Sequence, residues 1–516
     1  MTPYDTHATT DPFARSISAF ESLMHTLSGG DASEWTHAGL EEHLDAGGRE
    51  LLRQLLQDHL DLRARREEEQ IRASGRPVVM GPEGQLRPWR ETGHSRWLAS
   101  VFGLVRVFGL VRVTRVARRG PGVCNIHPTD AALSLPAGRH SMGLRRLAVT
   151  ESVRGSFDQA QQAVERRCGK VLGKRRLEEL VVAAAADADD FYRARIQVPC
   201  SRQMPLVVQV DGKGVVMRPE ALREATRRAA AKAAGGHRAR LAPGEKPNRK
   251  RMATVACVFD IRPAPRRPHD VIHPPGGRSG ERLARPGPKA ESKWCTASLV
   301  RPPEQVIAEA FNQAQARDPN RLRPWIVLVD GARHQLDLIR AETSRRDVTV
   351  HVLLDLVHVA EYVWAAAHAF HKPGATEAET WAANHLPAIL AGQAARTAQE
   401  MTAQAHQEGL SAARREAVDV CHRYLVGHLD QLRYDIALDH GWPIATGAVE
   451  GACRHLIGDR LDITGARWGL PGAEAILRLR TLVSNGDFDA YWRFHLAREH
   501  ERLYLAPKQR TYTLTA

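Results

Sequence analysis

The sequence of 516 residues lacks the features that mark secreted and membrane-spanning proteins. Its seven cysteines are odd in number and never form C-x-x-C, which argues against a disulfide framework and a structural zinc site and for a reducing compartment. No run of ~18 apolar residues occurs. Asp5 and Asp11 stand where a signal peptide would carry a basic patch before an apolar stretch. These absences predict a cytoplasmic protein with no membrane partner.

Acidic residues are too few to balance the basic ones. The chain holds 73 Lys and Arg against 59 Asp and Glu, which gives a net charge of +14. A surplus of this size favours a polyanionic partner such as DNA. More than half of it lies between Arg223 and Arg251, where ten Lys and Arg face two acids. We therefore predict a basic insert over residues 223–290, which ends in a proline-rich extended loop.

The length predicts three or four domains. Changes in composition and periodicity separate the following segments: an N-terminal helical region with a linker or hairpin (1–92), a small β segment followed by a helical DNA-binding region (93–200), the first part of an α/β core (201–364), an all-α insertion (365–440), the rest of the core (441–490) and a C-terminal tail (491–516). The hexapeptide VFGLVR occurs twice, over residues 101–112. We interpret this as a local duplication that lengthens a strand or hairpin.

Residues 143–195 have the pattern of helices. Ser156 is a candidate N-cap for a helix that runs to about Arg167, and a Cys168-Gly169 break follows. A second helix begins near Gly173 with basic residues in its first turn. This is the outline of a helix-turn-helix, in which the second helix enters the major groove. An ordinary helical hairpin with a solvated basic end fits the same pattern.

The core is predicted from apolar, β-branched runs and from one periodic helix. The predicted strands are 206–211, 214–217, 254–260, 326–330 and 348–354. Helices are predicted over 303–317, from a cap at Thr446 through Glu450 to Leu461, and over 471–484. Strands that alternate with helices indicate an α/β core.

Two acids follow buried strands directly. Asp211 ends the run LVVQV and Asp330 ends the run IVLV, and a glycine follows each of them. A carboxylate at the edge of a buried sheet is costly unless a cation pairs with it, and Mg²⁺ prefers carboxylates together with phosphates. A strand-end Asp-Gly is also a common turn, so each acid alone leaves both interpretations open.

Four blocks of the sequence carry a resemblance to a known family. They are VQVDGKGVVM (208–217), VLVDGARHQL (327–336), DLVHVAEYVW (355–364) and ATGAVEGACRHLIGDRLDITGARW (445–468). In this order they resemble the DDE transposases of bacterial insertion sequences, in the Mutator-like group and particularly the ISKra family. The resemblance covers residues from about 90 to 490.

The resemblance implies a fold, a reaction and a site. The fold would be an RNase H-like α/β core with a mixed five-stranded sheet, interrupted by the all-α insertion. Asp211, Asp330 and Glu450 would be the catalytic residues and the ligands of two Mg²⁺ (or Mn²⁺) ions, roughly 3.5–4 Å apart. One ion would activate the attacking oxygen and the other would stabilise the leaving 3′-oxygen. The partners would be double-stranded DNA, as terminal repeats and target, and further copies of the chain.

The resemblance also implies roles for residues around these acids. Asp355 and His358 match a D-x-x-H element and would organise the site, although His358 also fits a structural role on a packing face. The basic residues and the tryptophan that we predict to bind DNA are Lys174, Arg175, Arg176, Arg249, Lys250, Arg251, Arg333, Arg454, Arg460, Arg467 and Trp468. Two of these residues have an alternative to DNA binding. Arg454 could form an ion pair with an acid, and Trp468 could be a buried residue that anchors the last helix.

Two other functions remain open at this point. The first is a DNA-binding protein that retains the transposase fold without catalysing transposition, and the VFGLVR duplication, which departs from the family pattern, keeps it open. The second is an RNase H-like nuclease, for which the basic insert and the helical insertion make the chain bulky. All three acids are intact, which favours an active transposase.

Overall fold

The structure, a computed structural model, describes residues 11–73, 79–81, 84–102, 110–195, 204–233, 250–272, 285–463 and 465–505. The chain divides into two compact units, which we call the first unit (Met1–Tyr192 with Phe488–Ala516) and the second unit (Arg193–Asp487). Most of the duplication at 101–112 and part of the predicted basic insert, including Arg249, lie outside the described residues. Within the described ranges, no helix combines the length and apolar character that crossing a bilayer requires.

The first unit is mainly helical. Its helices, up to the start of the second unit, are α1 (Ala14–Ser28), α2 (His37–Ala73), α3 (Pro128–Ala132), α4 (Met142–Arg154), α5 (Phe157–Cys168), α6 (Lys174–Ala184) and α7 (Ala188–Ala194). Its strands are β1 (Val79–Met80), β2 (Leu86–Arg87), β3 (Trp89–Ala99), β4 (Leu110–Gly120) and β5 (Val123–Ile126). β1 and β2 pair as a hairpin, which confirms the hairpin alternative for the predicted linker.

A small antiparallel sheet in the order β3-β4-β5 is the β part of this unit. The long helix α2 packs against β4, and Leu60 of α2 joins Leu98, Val111 and Val113 of the sheet in one apolar cluster. Burial of that apolar surface fixes one face of the sheet against the helix. The opposite face and the edge strand β3 keep several exposed side chains.

The helices predicted as a helix-turn-helix are present. Ser156 caps α5 through a capping box, in which its hydroxyl accepts a hydrogen bond from the amide of Gln159 at 3.2 Å. Gly169 ends α5 with φ of 73°, a conformation that glycine adopts at little cost, and α6 begins at Lys174. The bounds of both helices are confirmed, and their entry into a major groove stays a prediction.

A mixed five-stranded sheet forms the α/β core of the second unit. Its strands are β6 (Leu206–Val216), β7 (Lys250–Ile261), β8 (Ala290–Ser298), β9 (Trp325–Val329) and β10 (His351–Leu354). The spatial order is β10-β9-β6-β7-β8. β6, β7 and β8 run antiparallel to one another, and β9 and β10 run parallel to β6. The start of β6 is apolar because it is buried: β7 and β9 flank it within the sheet, and helices pack against it.

The predicted strands differ from the observed ones in two places. The two strands predicted at 206–211 and 214–217 are one strand, because the ladder with β7 continues through Gly212 and Gly214. The proline-rich loop predicted to reach residue 290 ends at the start of β8, a strand that the sequence analysis missed. The number of strands was therefore right, and the identity of one was wrong.

Helices surround this sheet and follow it along the chain. They are α8 (Glu224–Ala233), α9 (Pro268–Val271), α10 (Pro303–Arg317), α11 (Arg333–Arg346), α12 (Leu356–Phe370), α13 (Thr376–Leu390), α14 (Ala394–Gln407), α15 (Ala412–Gly427), α16 (Tyr434–Asp439), α17 (Gly447–Ala452), α18 (Asp459–Leu461) and α19 (Leu470–Ser484). The predicted helices at 303–317 and 471–484 are confirmed as α10 and α19. Residues 365–440, which we predicted to form an all-α insertion, contain helices and no strand.

The helix that carries Glu450 is not a regular α-helix. Thr446 is its N-cap, as predicted, and a π-helical turn over Cys453–Gly458 separates α17 from α18. Such π-helical turns are rare and are frequent at functional sites. The predicted C-terminal tail is also a helix in most of its described part, α20 (Phe488–Tyr504), and it belongs to the first unit.

Candidate functional site

Asp211 and Asp330 occupy equivalent positions on neighbouring parallel strands. β6 and β9 pair with Gln209 opposite Leu328, an offset of 119 residues, and the same offset separates Asp211 from Asp330. Neighbouring strands lie about 4.8 Å apart, and paired residues point to the same face of a sheet. The sheet thus brings the two predicted acids to one edge, although 119 residues of sequence lie between them.

Asp355 continues this row on the third strand. β10 pairs with β9 through Leu354 opposite Val329, and the amide of Asp355 donates to the carbonyl of Val329 at 2.8 Å. Asp355 therefore lies beside Asp330, as Asp211 does on the other side. We call Asp211, Asp330 and Asp355, together with Glu450, the acidic edge.

The side chain of Asp355 is fully buried and caps helix α12. Its Oδ1 accepts hydrogen bonds from the amides of Val357 and Thr446, both at 3.2 Å. Its Oδ2 has no hydrogen-bond partner among the described residues. Asp355 thus joins the end of β10 to the start of the Glu450 helix, a contact that spans 91 residues of sequence.

Gln209 holds the same helix from the central strand. Its side-chain oxygen accepts from the amide of Val449 at 3.0 Å, and its side-chain nitrogen donates to the carbonyl of Ala445 at 3.1 Å. The hydroxyl of Thr446 then donates to Glu450 Oε1 at 3.1 Å. Two buried polar side chains, Gln209 and Asp355, thus fix where the helix begins and hence where Glu450 lies.

Cys453 lies between the two carboxylates that β6 and this helix contribute. Its thiol donates to Asp211 Oδ2 over 3.4 Å. Burial raises the pKa of Cys453, and the negative charges of Asp211 and then of Glu450 raise it further. The thiol is therefore protonated at neutral pH, and it links the helix directly to Asp211.

Tyr424, from the helical insertion, lies against the other side of the edge. Its hydroxyl donates to the carbonyl of Asp330 at 3.2 Å, and its ring stacks on that of Tyr362 with 4.0 Å between centroids. Burial raises the pKa of Tyr424, and the charges of Tyr362, Asp330 and Asp355 add to the shift. The insertion thus helps to shape the site rather than lying apart from it.

The acidic edge lacks any cationic partner from the described part of the chain. No described Lys or Arg forms an ion pair with its four carboxylates, although Asp211 and Asp330 are half-buried and Asp355 is fully buried. Oδ1 of Asp211 accepts from the amide of Gly212, and Oδ1 of Asp330 accepts from the amide of Ala332. Carboxylates in a row, with one buried oxygen unpartnered, are a donor set that suits Mg²⁺ or Mn²⁺.

The side chains are not arranged as a ready coordination sphere. Within the described residues, no group of three or more His, Cys, Asp or Glu is close enough to hold a metal ion as it stands. The backbone register fits a metal site, and the carboxylates would have to rotate towards one another to bind it. Asp211 and Asp330 would first give up the hydrogen bonds of Oδ1 to the amides that follow them.

His358, the second residue of the D-x-x-H element, points elsewhere. It lies in the first turn of α12, and its Nδ1 is 3.1 Å from Glu361 Oε2. Its side chain is 43% exposed, so it does not lie on a packing face as the structural alternative supposed. No described contact joins it to Asp211, Asp330 or Glu450. Only Asp355 of this element reaches the acidic edge.

The predicted DNA-binding residues fall into three groups. Lys174, Arg175 and Arg176 are exposed in the first turn of α6 and form ion pairs with Asp158 or Glu179. The exposed residues without an ion-pair partner among the described residues are Arg333, Arg454 and Arg467. Of these, Arg333 begins α11 three residues after Asp330, and Arg454 follows Glu450 by one helical turn. They are therefore placed to approach a phosphate at the acidic edge.

The remaining members of that set have structural contacts. Lys250 pairs with Asp462 at 3.2 Å, and Arg251 donates to the carbonyl of Leu299 at 2.8 Å. Arg460 and Trp468 are buried, with the guanidinium 4.8 Å above the indole ring. A side chain must be accessible to contact DNA, so the DNA-binding prediction does not fit these two residues. The alternative of a buried, anchoring Trp468 fits its position.

The sequence analysis missed Gln209, Thr446 as a hydrogen-bond donor to Glu450, Cys453 and Tyr424. Gln209 carried a signal, because it is the one polar residue in the run LVVQV and a buried polar side chain needs partners. Cys453 and Tyr424 carried no such signal in the sequence.

A scan of the sequence against protein-family models and a search of curated protein sequences both found no match.

Proposed function

We propose that the chain is a DNA transposase that cleaves and joins DNA strands at the acidic edge. The observation that carries this proposal is the row of carboxylates on adjacent strands, to which two buried side chains attach the Glu450 helix. Such a row is costly to build without cations. A site for divalent ions and phosphates is the simplest function that makes it useful.

The order of the strands supports an RNase H-like core. Within the core, the antiparallel strands β6, β7 and β8 come first in the sequence. The last two strands, β9 and β10, run parallel to β6. The helical insertion follows the last strand and precedes the helix with Glu450. The resemblance to Mutator-like transposases implies a core of this kind, with a mixed five-stranded sheet and an all-α insertion.

Asp211, Asp330 and Glu450 would hold the metal ions. When bound, two divalent ions would activate the attacking oxygen and offset the charge that grows on the phosphate. Asp355 and Gln209 would set the position of Glu450 through the start of its helix. Cys453 remains protonated beside Asp211, so its thiol competes little for hard cations. The exposed Arg333 and Arg454 would contact the DNA backbone next to the acids.

Cleavage of DNA tests this proposal. Duplexes made from the genomic sequence that flanks the gene are incubated with the protein and Mg²⁺ or Mn²⁺, and strand cleavage and strand transfer are followed on gels. We expect Asp211→Asn, Asp330→Asn and Glu450→Gln each to reduce both reactions by about a hundredfold to a thousandfold, as loss of a charge-stabilising group at a reacting centre does. DNA binding, measured by gel shift, should persist.

Asp337→Asn is the matched control. Asp337 is an exposed acid on α11 that pairs with Arg340 on the surface, so its loss should leave cleavage unchanged. Near-normal cleavage by any of the three variants would show that the site assignment is wrong. A wild-type protein that binds the duplexes but never cuts them would favour a DNA-binding protein derived from a transposase. Cleavage of many branched or hybrid substrates without strand transfer would favour a nuclease.

A further inference from the structure

A groove of about 650 Å³ lies along the exposed edge of the small sheet in the first unit. β3 is the edge strand of that sheet, and the segment that follows α3 forms the other wall. The residues that line the groove are Arg96, Trp97, Arg115, Ala137, Gly138 and Arg139. We call this the β3 groove, and none of these side chains belongs to the predicted DNA-binding set.

Trp97 presents its ring to solvent at the groove. It is 58% exposed, so a flat ligand in the groove can reach the face of the ring. Its partner across the ladder is Arg112, which is exposed and forms no ion pair with any described residue. Paired residues of this kind lie with their Cβ atoms about 5 Å apart, so an arginine lies beside the exposed ring.

Trp89, on the same strand, provides an internal comparison. It is 56% exposed, almost as much as Trp97, but it does not line the groove. Its partner across the ladder is Arg119, and that guanidinium pairs with Glu91 at 2.9 Å. The two tryptophans thus have the same exposure, and only Trp97 lies beside an arginine whose charge no described acid offsets.

The wall opposite Trp97 is also rich in arginine. Arg139 is exposed and has no acidic partner among the described residues. The guanidinium groups of Arg176 and Arg145 lie 3.1 and 3.3 Å from the position that a Cβ on Gly138 would occupy. Arg176 pairs with Glu179 and Arg145 lies 3.7 Å from Glu499, so both are partly neutralised.

In the inner part of the groove, acids offset less of the positive charge. Arg96 and Arg115 share a single acid, Asp130. Around the groove, five arginines therefore face three acids, so two positive charges are not offset. One lies in the inner part, where two arginines share Asp130, and the other is Arg139. Because guanidinium groups stay protonated at any physiological pH, this charge is permanent.

This combination of groups selects a ligand. A permanent positive charge suits phosphates, and an exposed indole suits the flat face of a base. Bases in a duplex are stacked on one another, so their faces are available only where the strands are separated. We propose that the β3 groove binds single-stranded DNA, with Trp97 stacked on an unpaired base and Arg139 and Arg112 on the adjacent phosphates. This goes beyond the proposed function, which requires only duplex DNA at the acidic edge.

Binding of oligonucleotides without metal tests this proposal apart from catalysis. The full-length protein is titrated in EDTA into fluorescein-labelled oligo(dT), of roughly 20 nucleotides, and into a duplex of the same length, and fluorescence anisotropy gives both Kd values. Trp97→Ala should weaken oligo(dT) binding by about 10-fold or more, within the range seen for loss of one stacked base. Trp97→Phe should retain most of the affinity, and Arg139→Ala should weaken binding and flatten its salt dependence.

Trp89→Ala is the matched control and should leave both Kd values unchanged. Equal losses for Trp97→Ala and Trp89→Ala, or no loss for Trp97→Ala, would overturn the proposal. So would an equal loss of duplex binding in Trp97→Ala, or displacement of oligo(dT) by poly-glutamate at matched charge, which would indicate an acidic peptide as the ligand. Asp211→Asn should bind oligo(dT) like the wild type, so failure of the acidic edge as a catalytic site would leave this result intact.

Discussion

The two ends of the five-stranded sheet hold acids in opposite electrostatic settings. Asp260, at the end of β7, is buried and pairs with Arg317 at 3.0 Å and with Arg323. At the opposite end of the sheet, Asp211 and Asp330 have no described arginine or lysine as a partner. An acid that the chain neutralises itself has a structural role. Acids that the chain leaves unpaired, side by side, are placed for a cation from solution.

Removal of one acid from each end should separate these roles most clearly. Asp260→Ala leaves two buried guanidinium groups without their carboxylate, so we expect a loss of about 3–5 kcal/mol of stability. That corresponds to a fall on the order of 10 °C in the unfolding temperature of this unit. Asp330→Asn removes one of several neighbouring negative charges, so stability should stay the same or rise by at most about 1 kcal/mol. Scanning calorimetry measures both.

Divalent ions sharpen the same comparison. Mg²⁺ or Mn²⁺ in excess should raise the unfolding temperature of the wild type, because a ligand that binds only the folded state stabilises it. The rise should survive in any Asp260 variant that folds and should disappear in Asp330→Asn. An equal rise in the wild type and in Asp330→Asn would contradict a metal site at the acidic edge.

Asp355 belongs to the acidic edge but resembles Asp260 in being fully buried. Asp355→Ala leaves the amides of Val357 and Thr446 without an acceptor, and we expect a loss of about 2–4 kcal/mol together with most of the cleavage activity. Asp355→Asn keeps an oxygen for both amides and should recover most of the stability.

Cleavage by the asparagine variant then distinguishes two roles for Asp355. If Asp355 acts by positioning the Glu450 helix, Asp355→Asn should recover activity along with stability. If its unpartnered Oδ2 contributes charge to the metal site, stability should recover without activity. Activity that survives in Asp355→Ala would contradict both roles. Kinetic measurements over a range of Mn²⁺ concentrations would show the second role as a shift in metal dependence.

The sequence predicted the elements of this fold better than their pairing. Runs such as IVLV identified β9 directly, whereas β8 has few β-branched residues and is a strand because its backbone pairs with β7 along most of its length. The sequence predicts two strands in place of β6, because glycine is frequent in turns and Gly212 and Gly214 lie within it. The ladder with β7, which no local pattern reveals, carries the strand through both glycines.

The candidate site shows the same limit. Asp211 and Asp330 were visible as strand-end acids, and the resemblance pointed to Glu450. The bonds that hold the site together join residues far apart in the chain, such as Gln209 with Val449 across 240 positions. The burial of Arg460 was likewise not predicted, because a basic residue in a motif has the same letter on the surface as in the core. The burial of Trp468 was one of the two alternatives that the sequence left open.

The smallest effect that we predict concerns the two glycines that follow Asp211 and Asp330. Gly331 has φ of 93°, and a Cβ there would lie 3.0 Å from the hydroxyl of Tyr424, so Gly331→Ala should cost about 2 kcal/mol through strain and displacement of that hydroxyl. Gly212 lies within the regular ladder of β6. Its Cβ would meet the flexible end of Met252 at 3.2 Å and the carbonyl oxygen of Ala253 at 3.7 Å, which is ordinary van der Waals contact. Gly212→Ala should therefore cost less than about 1 kcal/mol. Urea unfolding measures the difference, and equal costs would show that Tyr424 does not constrain the backbone beside Asp330.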